Sequence, residues 1–140
     1  MKKIQIALLS AMFVMVIFIM GSCGKTNSTV CSWDYQGRHY LADSSSVSSG
    51  SDSRLLAYSG LTAIAIDGGQ HLTVGAYTFH RQNTSGQPYF FYIQVSSILY
   101  SQSGTLVVTA SDNTKMSGNF SVTLTDASVI SGSFKDVPFR

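Results

Sequence analysis

The amino-acid sequence predicts an all-β protein: a single antiparallel β-sandwich or flattened barrel of about eight strands after a cleaved signal peptide. Short runs rich in Val, Ile, Tyr and Phe are separated by gaps rich in Ser, Thr and Gly, and β-branched and aromatic residues suit a pleated surface. Several runs alternate between apolar and polar residues, as strands with one buried face do. The 140-residue chain has almost no helical periodicity after its N-terminal apolar run.

The N-terminal segment has the order of a secretory signal. The chain begins Met-Lys-Lys, and residues 4–20 are apolar with two polar exceptions. A membrane-spanning helix needs about 20 apolar residues and usually has cationic flanks, whereas this run is slightly short and ends in Gly21 and Ser22. Small residues suit signal cleavage, because the peptidase binds an extended backbone. We therefore predict that residues 1–22 are a signal peptide.

A cysteine directly follows the small pair, and residues 20–23, Met-Gly-Ser-Cys, resemble a bacterial lipobox. The resemblance implies cleavage between Ser22 and Cys23, transfer of diacylglycerol to the Cys23 thiol, and acylation of the new amino terminus by a chain such as palmitate. A single acyl chain binds a membrane marginally, so two or three would anchor the protein stably. Residues 23–29 then form the lipidated cysteine and a polar tether. The alternative is an ordinary signal peptide followed by a chance cysteine.

The predicted cleavage changes what the composition implies. Removal of residues 1–22 leaves 118 of the 140 residues, which suits one domain over residues 30–140. Two of the nine basic residues are lost, so seven face seven Asp and no Glu. The net charge is then near zero, which excludes the nucleic-acid partner that the full-chain pI of 8.6 would suggest. Lipidation of Cys23 also leaves Cys31 without an intramolecular disulfide partner.

The alternation of runs and gaps delimits the strands. We expect strands over residues 30–36, 38–43, 54–58, 61–67, 72–79, 89–96 and 98–100, and a hairpin over residues 104–125. One arm of the hairpin places Leu106, Val108 and Ala110 on the buried face, and the other places Phe120, Val122 and Leu124 there. The Asp112-Asn113 pair between them has turn chemistry. The Ser-rich residues 43–53 are expected to be a surface loop that buries no side chain.

A short pattern occurs twice near the end of the chain. MSGNF at residues 116–120 recurs as ISGSF at residues 130–134. Because strand residues two and four apart share a face, each copy places a glycine between two large apolar residues. Such a glycine makes room for a facing aromatic ring or for a bend. We interpret the two copies as neighbouring strands with the same packing problem, since a solenoid needs three or more repeats.

Three segments, taken in order, resemble a family of small Bacteroidota-type lipoproteins. They are WDYQGRHYLAD at residues 33–43, VGAYTF at residues 74–79, and SGTLVVTASDNTKMSGNFSVTL…VISGSFKDVPF within residues 103–139. Members of this family contain, in order, a lipobox, an early aromatic-Gly-aromatic hairpin, a G-x-Y segment and a terminal run of the type sGtltIt…isGtFs…itnGsF. The resemblance implies an all-β lipoprotein domain of unknown function. It supplies no catalytic residues. The residue after the cysteine is Gly24 and not Asp, which is similar to the pattern in lipoproteins that are forwarded to the outer membrane. The resemblance does not say which leaflet the protein faces.

No catalytic, metal or cofactor motif is found in the sequence. His39, His71 and His80 lack the close ligand pairs typical of zinc, so a zinc site assembled in three dimensions is the less favoured alternative to solvated histidines. Residues 111–113, Ser-Asp-Asn, match a penicillin-binding motif, but the mature chain has neither Ser-x-x-Lys nor Lys-Thr-Gly. We interpret that match as chance within a turn. The sequence therefore predicts no catalytic residues, no metal and no cofactor.

The segment QPYFFYIQV, residues 87–95, carries a specific binding hypothesis. Alternation places Phe91 and Ile93 on one face of a strand and Phe90 and Tyr92 on the other. If the first face is core, Phe90 and Tyr92 face solvent or a partner, where aromatic rings stack on sugars or anchor protein interfaces. The alternative is that both faces are covered.

These observations predict a lipid-anchored protein of the cell envelope, at the outer membrane, that binds rather than catalyses. It would contact the membrane through its anchor and present loops or an aromatic face to an envelope protein or a glycan. One alternative is a barrel-type carrier that encloses a small apolar ligand. Another is an inhibitor of a cell-envelope hydrolase.

Overall fold

The computed structural model describes residues 30–48, 53–68, 72–81 and 89–140. In these residues the chain forms ten strands and no helix, which confirms the all-β prediction. The strands are β1 (Val30–Tyr35), β2 (Arg38–Leu41), β3 (Ser44–Val47), β4 (Arg54–Ser59), β5 (Thr62–Asp67), β6 (Gly75–Phe79), β7 (Phe90–Gln94), β8 (Ile98–Ser111), β9 (Lys115–Leu124) and β10 (Val129–Pro138). Within the same ranges no helix is long and apolar enough to cross a membrane. The predicted signal peptide and Cys23 lie outside the described residues.

All strand pairs are antiparallel, and they form one curled sheet in the order β2-β1-β10-β9-β8-β7-β5-β4-β3, with β6 also paired to β8. The curl produces two layers. Sheet A contains β2, β1, β10, β9, the later part of β8 and β6, and sheet B contains β3, β4, β5, β7 and the first residues of β8. This half-barrel is consistent with the predicted sandwich or flattened barrel.

Two stretches of chain connect the layers. Strand β2 is followed, after Ala42 and Asp43, by β3 in the other layer. Strand β8 pairs with β7 at its start and with β6 further along, and its pairing with β9 shifts register between Ser101 and Ser103. The predicted strand over residues 98–100 and the first hairpin arm are therefore one long strand. The chain bends where β8 passes from sheet B to sheet A. Antiparallel pairing continues there because both layers share this strand.

The prediction that residues 43–53 bury no side chain is wrong. Ser44–Val47 is strand β3, which pairs with β4, and both Val47 and Ser53 are fully buried. The serines do not alternate with apolar residues, so the sequence shows no strand periodicity there. Pairing with the edge of β4 supplies the backbone hydrogen bonds that make this segment a strand.

The inner faces of both sheets form one continuous apolar core. Its largest fully buried side chains include Trp33, Phe79, Phe91 and Phe134. Of the predicted inward residues in the β8–β9 hairpin, five are buried: Leu106, Val108, Phe120, Val122 and Leu124. Ala110 is exposed, because the register shifts between Val108 and Ala110 and reverses the direction of the side chain.

The repeated Ser-Gly pattern packs as expected from the sequence. In the register of β9 and β10, Phe120 lies opposite Gly132 and Phe134 lies opposite Gly118. Each phenylalanine ring approaches the glycine on the neighbouring strand so closely that a Cβ would meet the ring Cζ at 2.5 Å for Gly132 and 2.6 Å for Gly118. The two copies are therefore reciprocal halves of one packing arrangement.

The turn between β8 and β9 is stabilised by the carboxylate of Asp112. Its Oδ1 accepts hydrogen bonds from Thr114 Oγ1 at 2.6 Å, Thr114 N at 2.7 Å and Lys115 N at 2.9 Å. These hydrogen bonds, the Thr114 hydroxyl first, lower the pKa of Asp112. The carboxylate of the Ser-Asp-Asn match thus has a structural role in the turn.

The thiol of Cys31 lies in the core and forms no disulfide among the described residues. Burial raises its pKa to about 12, so the reactive thiolate is scarce near neutral pH. In the native protein we expect Ellman's reagent to leave Cys31 unmodified over hours at about pH 8. In denaturant it should react at once. Fast labelling of the native protein would contradict this burial.

The same titration tests the predicted anchor. In denaturant the mature protein should show one thiol per chain, and Cys31→Ser should show none, because a thioether at Cys23 does not react. A residual thiol in the Cys31→Ser variant would mean that Cys23 is unmodified.

Candidate functional site

The outer face of sheet B is apolar and aromatic. Eight residues of β4, β5, β7 and β8 form it, and we call them the aromatic face: Leu56, Tyr58, Ala63, Ala65, Phe90, Tyr92, Ile98 and Tyr100. Strand register places them in rows across the sheet. One row is Leu56, Ala65, Tyr92 and Tyr100, and the next is Tyr58, Ala63, Gln94 and Ile98.

The outer face of sheet A has the opposite character. The outward residues of its two central strands are polar with one exception: Lys115, Ser117, Asn119, Ser121 and Thr123 on β9, and Ser131, Ser133, Lys135 and the exposed Val129 on β10. Polar outward residues are what a solvated antiparallel sheet usually presents. The aromatic face therefore stands out against an internal reference within the same fold.

Three aromatic rings form a ladder on this face. The ring centroids of Phe90 and Tyr92 are 6.5 Å apart, with planes 25° from parallel. Those of Tyr92 and Tyr100 are 6.1 Å apart, and those planes are tilted by 58°. Phe90, Tyr92 and Tyr100 are each half-buried, so side contacts hold the rings in place while part of each ring stays accessible.

Two alanines and an exposed tyrosine shape the rest of the face, and Ala65 itself is fully buried. Ala63 and Ala65 lie on β5 between the rings of β7 and the side chains of β4, with Ala65 directly between Leu56 and Tyr92. Tyr58 is 47% exposed, so about half of this side chain is accessible from the surface.

The next row of the face is polar and contains an ion pair. Arg54 Nη2 and Nε donate to Asp67 Oδ2 at 2.5 Å and 2.9 Å, and Asp67 lies opposite Phe90 in the register. Asp67 is nearly buried and Arg54 half exposed. An open depression of about 430 Å³ adjoins this row, and its lining residues are Ser46, Val47, Ser48, Arg54, Leu56 and Arg140. Hydrogen-bonding groups thus border the aromatic face at one end.

Apolar turn residues border the opposite end. Leu61 in the β4–β5 turn is 96% exposed, and Val95 after β7 is also exposed. The turns are adjacent because Ala63 pairs with Gln94 just beyond them.

The two faces of β7 alternate as the sequence indicates, and the binding role of Phe90 and Tyr92 stays a prediction. Phe91 and Ile93 are fully buried, and Phe90 and Tyr92 lie on the outer face. Sequence reasoning missed Tyr58 and Tyr100, because strand order decides that Tyr100 on β8 lies beside Tyr92 and that Tyr58 on β4 shares their face with β5 between them. The available sequence signal was Tyr58 itself, an aromatic residue at an outward position of the alternating run that forms β4.

Among the described residues, the other candidate groups do not assemble into a site. His39 Nδ1 lies 2.8 Å from Asp34 Oδ1 on the surface, His80 is half-buried, and His71 lies outside the described residues. In the described ranges, no cluster of three His, Cys or Asp side chains could hold a metal ion. The absence of a metal therefore stays a prediction, as does the absence of a cofactor or catalytic residue.

Comparison with known proteins gives no relative. No family model, curated protein or solved structure matches this chain.

Proposed function

We propose that this protein is a non-enzymatic, lipid-anchored component of the cell envelope that binds a protein or glycan partner through the aromatic face. The proposal is supported by the contrast between the two outer faces: the central strands of sheet A present mainly Ser, Thr, Asn and Lys, whereas sheet B presents mainly aromatic and aliphatic side chains. A contiguous exposed apolar patch on a soluble domain is typical of an interaction site.

The filled interior favours surface binding over an enclosed ligand. The buried residues of both layers pack as one cluster that includes Trp33, Phe91, Phe120 and Phe134, and the phenylalanine rings contact one another across the layers, with Phe91 and Phe120 centroids 5.3 Å apart. A carrier would need apolar space where these rings lie.

The anchor is the sequence-based part of the proposal. The lipobox-like residues 20–23 support it, together with the short polar tether that follows. A protein held at a membrane by lipid meets partners at high local concentration, so a small binding surface of modest affinity suffices.

Photo-crosslinking in cells tests the binding surface. A photoreactive phenylalanine analogue at Tyr92 should form adducts with a partner, whereas the same analogue at Ser121, on the outer face of sheet A, should not. The double variant Phe90→Ser/Tyr92→Ser, probed from Tyr100, should lose at least about 90% of the adduct, since removal of two anchoring rings costs more than about 1.4 kcal/mol of binding.

Thermal unfolding of the variants provides the control. Ser121→Ala/Thr123→Ala is the matched pair on sheet A and should leave both adducts and stability unchanged. Unchanged adducts in Phe90→Ser/Tyr92→Ser, with stability lost, would show that these rings serve folding and not binding.

A further inference from the structure

We infer that the aromatic face binds an uncharged glycan chain, with sugar rings stacked on Phe90, Tyr92 and Tyr100. The inference rests on the proposed function and specifies its ligand class. It draws on the size of the face, its charge and the placement of its hydrogen-bonding groups.

The face is too small for a stable interface with a folded protein. From β4 to β8 it spans three inter-strand steps of about 4.8 Å, and its three rows span about 13 Å along the strands, so its planar footprint is about 190 Å². A stable protein interface buries about 800 Å² on each partner. Side-chain relief increases the available area, but a twofold increase still falls short. A narrow, linear ligand fits a surface of this size.

The charge on the face favours a neutral ligand. The face itself has no charged residue, and the bordering row contains Arg54 and Asp67, which are bonded to each other. Within the rows their charges cancel, so the ring ladder itself offers neither sign of ligand a counter-charge, and the further cation Arg140 lies in the adjoining depression. A polyanionic or polycationic chain would have no counter-charge beside the ring ladder.

The chemistry of the face matches the two sides of a sugar ring. The apolar C–H face of a sugar packs on an aromatic ring, and its hydroxyl groups need polar partners at the edge. The rings of Phe90, Tyr92 and Tyr100 provide the first contact. Gln94 lies beside the rings and is exposed, and Arg54 and Ser46 line the adjoining depression. A linear glycan could therefore run along the ladder and place its hydroxyl groups in this depression.

Calorimetric titration of the full chain in detergent micelles tests the ligand class. The probes are neutral hexasaccharides of glucose, xylose, mannose and N-acetylglucosamine, with hexagalacturonate as the charged comparison. We expect at least one neutral hexasaccharide to bind, with an affinity that changes less than about twofold between low and high salt. Tyr92→Ala and Tyr100→Ala should each weaken binding about tenfold.

Variants separate stacking from hydrogen bonding and folding. Tyr92→Phe keeps the ring and should retain binding within about threefold. This variant tests the stacking contact even if Tyr92→Ala fails to fold. Thr105→Ala, on the outer face of sheet A, and Leu61→Ser, at the turn, should bind as the unchanged protein does. A loss of glycan binding in Leu61→Ser equal to that in Tyr92→Ala would overturn the ring-ladder site.

Other outcomes also overturn the inference. These are no binding of any neutral hexasaccharide, preferential salt-sensitive binding of hexagalacturonate, or binding that the ring variants leave intact. If no glycan binds while Tyr92 crosslinks to a protein in cells, this inference fails and the proposed function stands. If the ring variants alter neither readout, the proposed function fails as well.

Discussion

Gly132→Ala is expected to lower the free energy of unfolding by about 3 kcal/mol, the upper end of the range for overpacking a core. A Cβ at Gly132 would lie 2.5 Å from Cζ of Phe120 and would also collide with the carbonyl oxygen of Ser32 on β1. The ring can shift only into a filled core, and the carbonyl belongs to a paired strand. Neither neighbour can yield cheaply, so the strain is felt on both sides of β10.

Gly118→Ala should have a similar effect for the same reason. Its Cβ would lie 2.6 Å from Cζ of Phe134 and would collide with the carbonyl oxygen of Val107 on β8. Urea denaturation followed by circular dichroism gives the change in stability. Gly75→Ala is the matched control: the nearest atom to its Cβ is 3.7 Å away, so stability should stay the same or rise by up to about 1 kcal/mol.

A double variant apportions the clash at Gly132. Phe120→Leu shortens the ring-bearing side chain, so Gly132→Ala should be less destabilising in that background than alone. The remaining loss measures the collision with the backbone of β1. Equal effects in both backgrounds, or an unchanged urea midpoint in either glycine variant, would refute the reciprocal packing of β9 and β10.

Ser101→Ala is expected to destabilise the fold by about 1–3 kcal/mol, although it removes one oxygen atom. Ser101 is fully buried where β6 and β7 meet along β8. Its Oγ accepts a hydrogen bond from Phe91 N at 3.1 Å and donates one to the His80 carbonyl at 2.7 Å. Alanine would leave a backbone donor and a backbone acceptor buried without these partners, and such groups are costly to leave unsatisfied.

Hydrogen exchange distinguishes this role from simple packing. The Phe91 amide should exchange faster in Ser101→Ala, while amides of β9 distant from the junction keep their protection relative to global stability. Ser103→Ala provides the comparison, because Ser103 is exposed on the same strand and its replacement should change stability by less than about 0.5 kcal/mol. Retained protection of Phe91 in the alanine variant would argue against the bridging role.

Local patterns predicted much of the fold because they depend on neighbours in the chain. Alternation in β9 correctly placed Phe120, Val122 and Leu124 in the core, since side chains on a strand change face at every residue. The Asp112 turn was predictable because its hydrogen bonds reach only two and three residues ahead. The glycines of the repeated pattern pointed to facing rings, although not to which strand supplied each ring.

Features that depend on strand order were not predictable in the same way. Ser44–Val47 carries no strand periodicity and becomes a strand because β4 offers an unpaired edge. Ala110 follows the alternation of its arm, yet a shift in register turns it outward. Tyr58, Tyr92 and Tyr100 are separated in sequence and meet in one face because β5 and β7 lie between β4 and β8.

The sequence sufficed for the all-β class, most inward residues of the long strands and the prediction of a lipid-anchored N-terminus, because each depends on residue type and short spacing. The bend of β8 and the assembly of the aromatic face required the folded chain. A strand has two faces of equal geometry, and which apolar face stays at the surface depends on the layer that packs against the other one. Here sheet A covers the face of Phe91 and Ile93, and the face of Phe90 and Tyr92 is left at the surface.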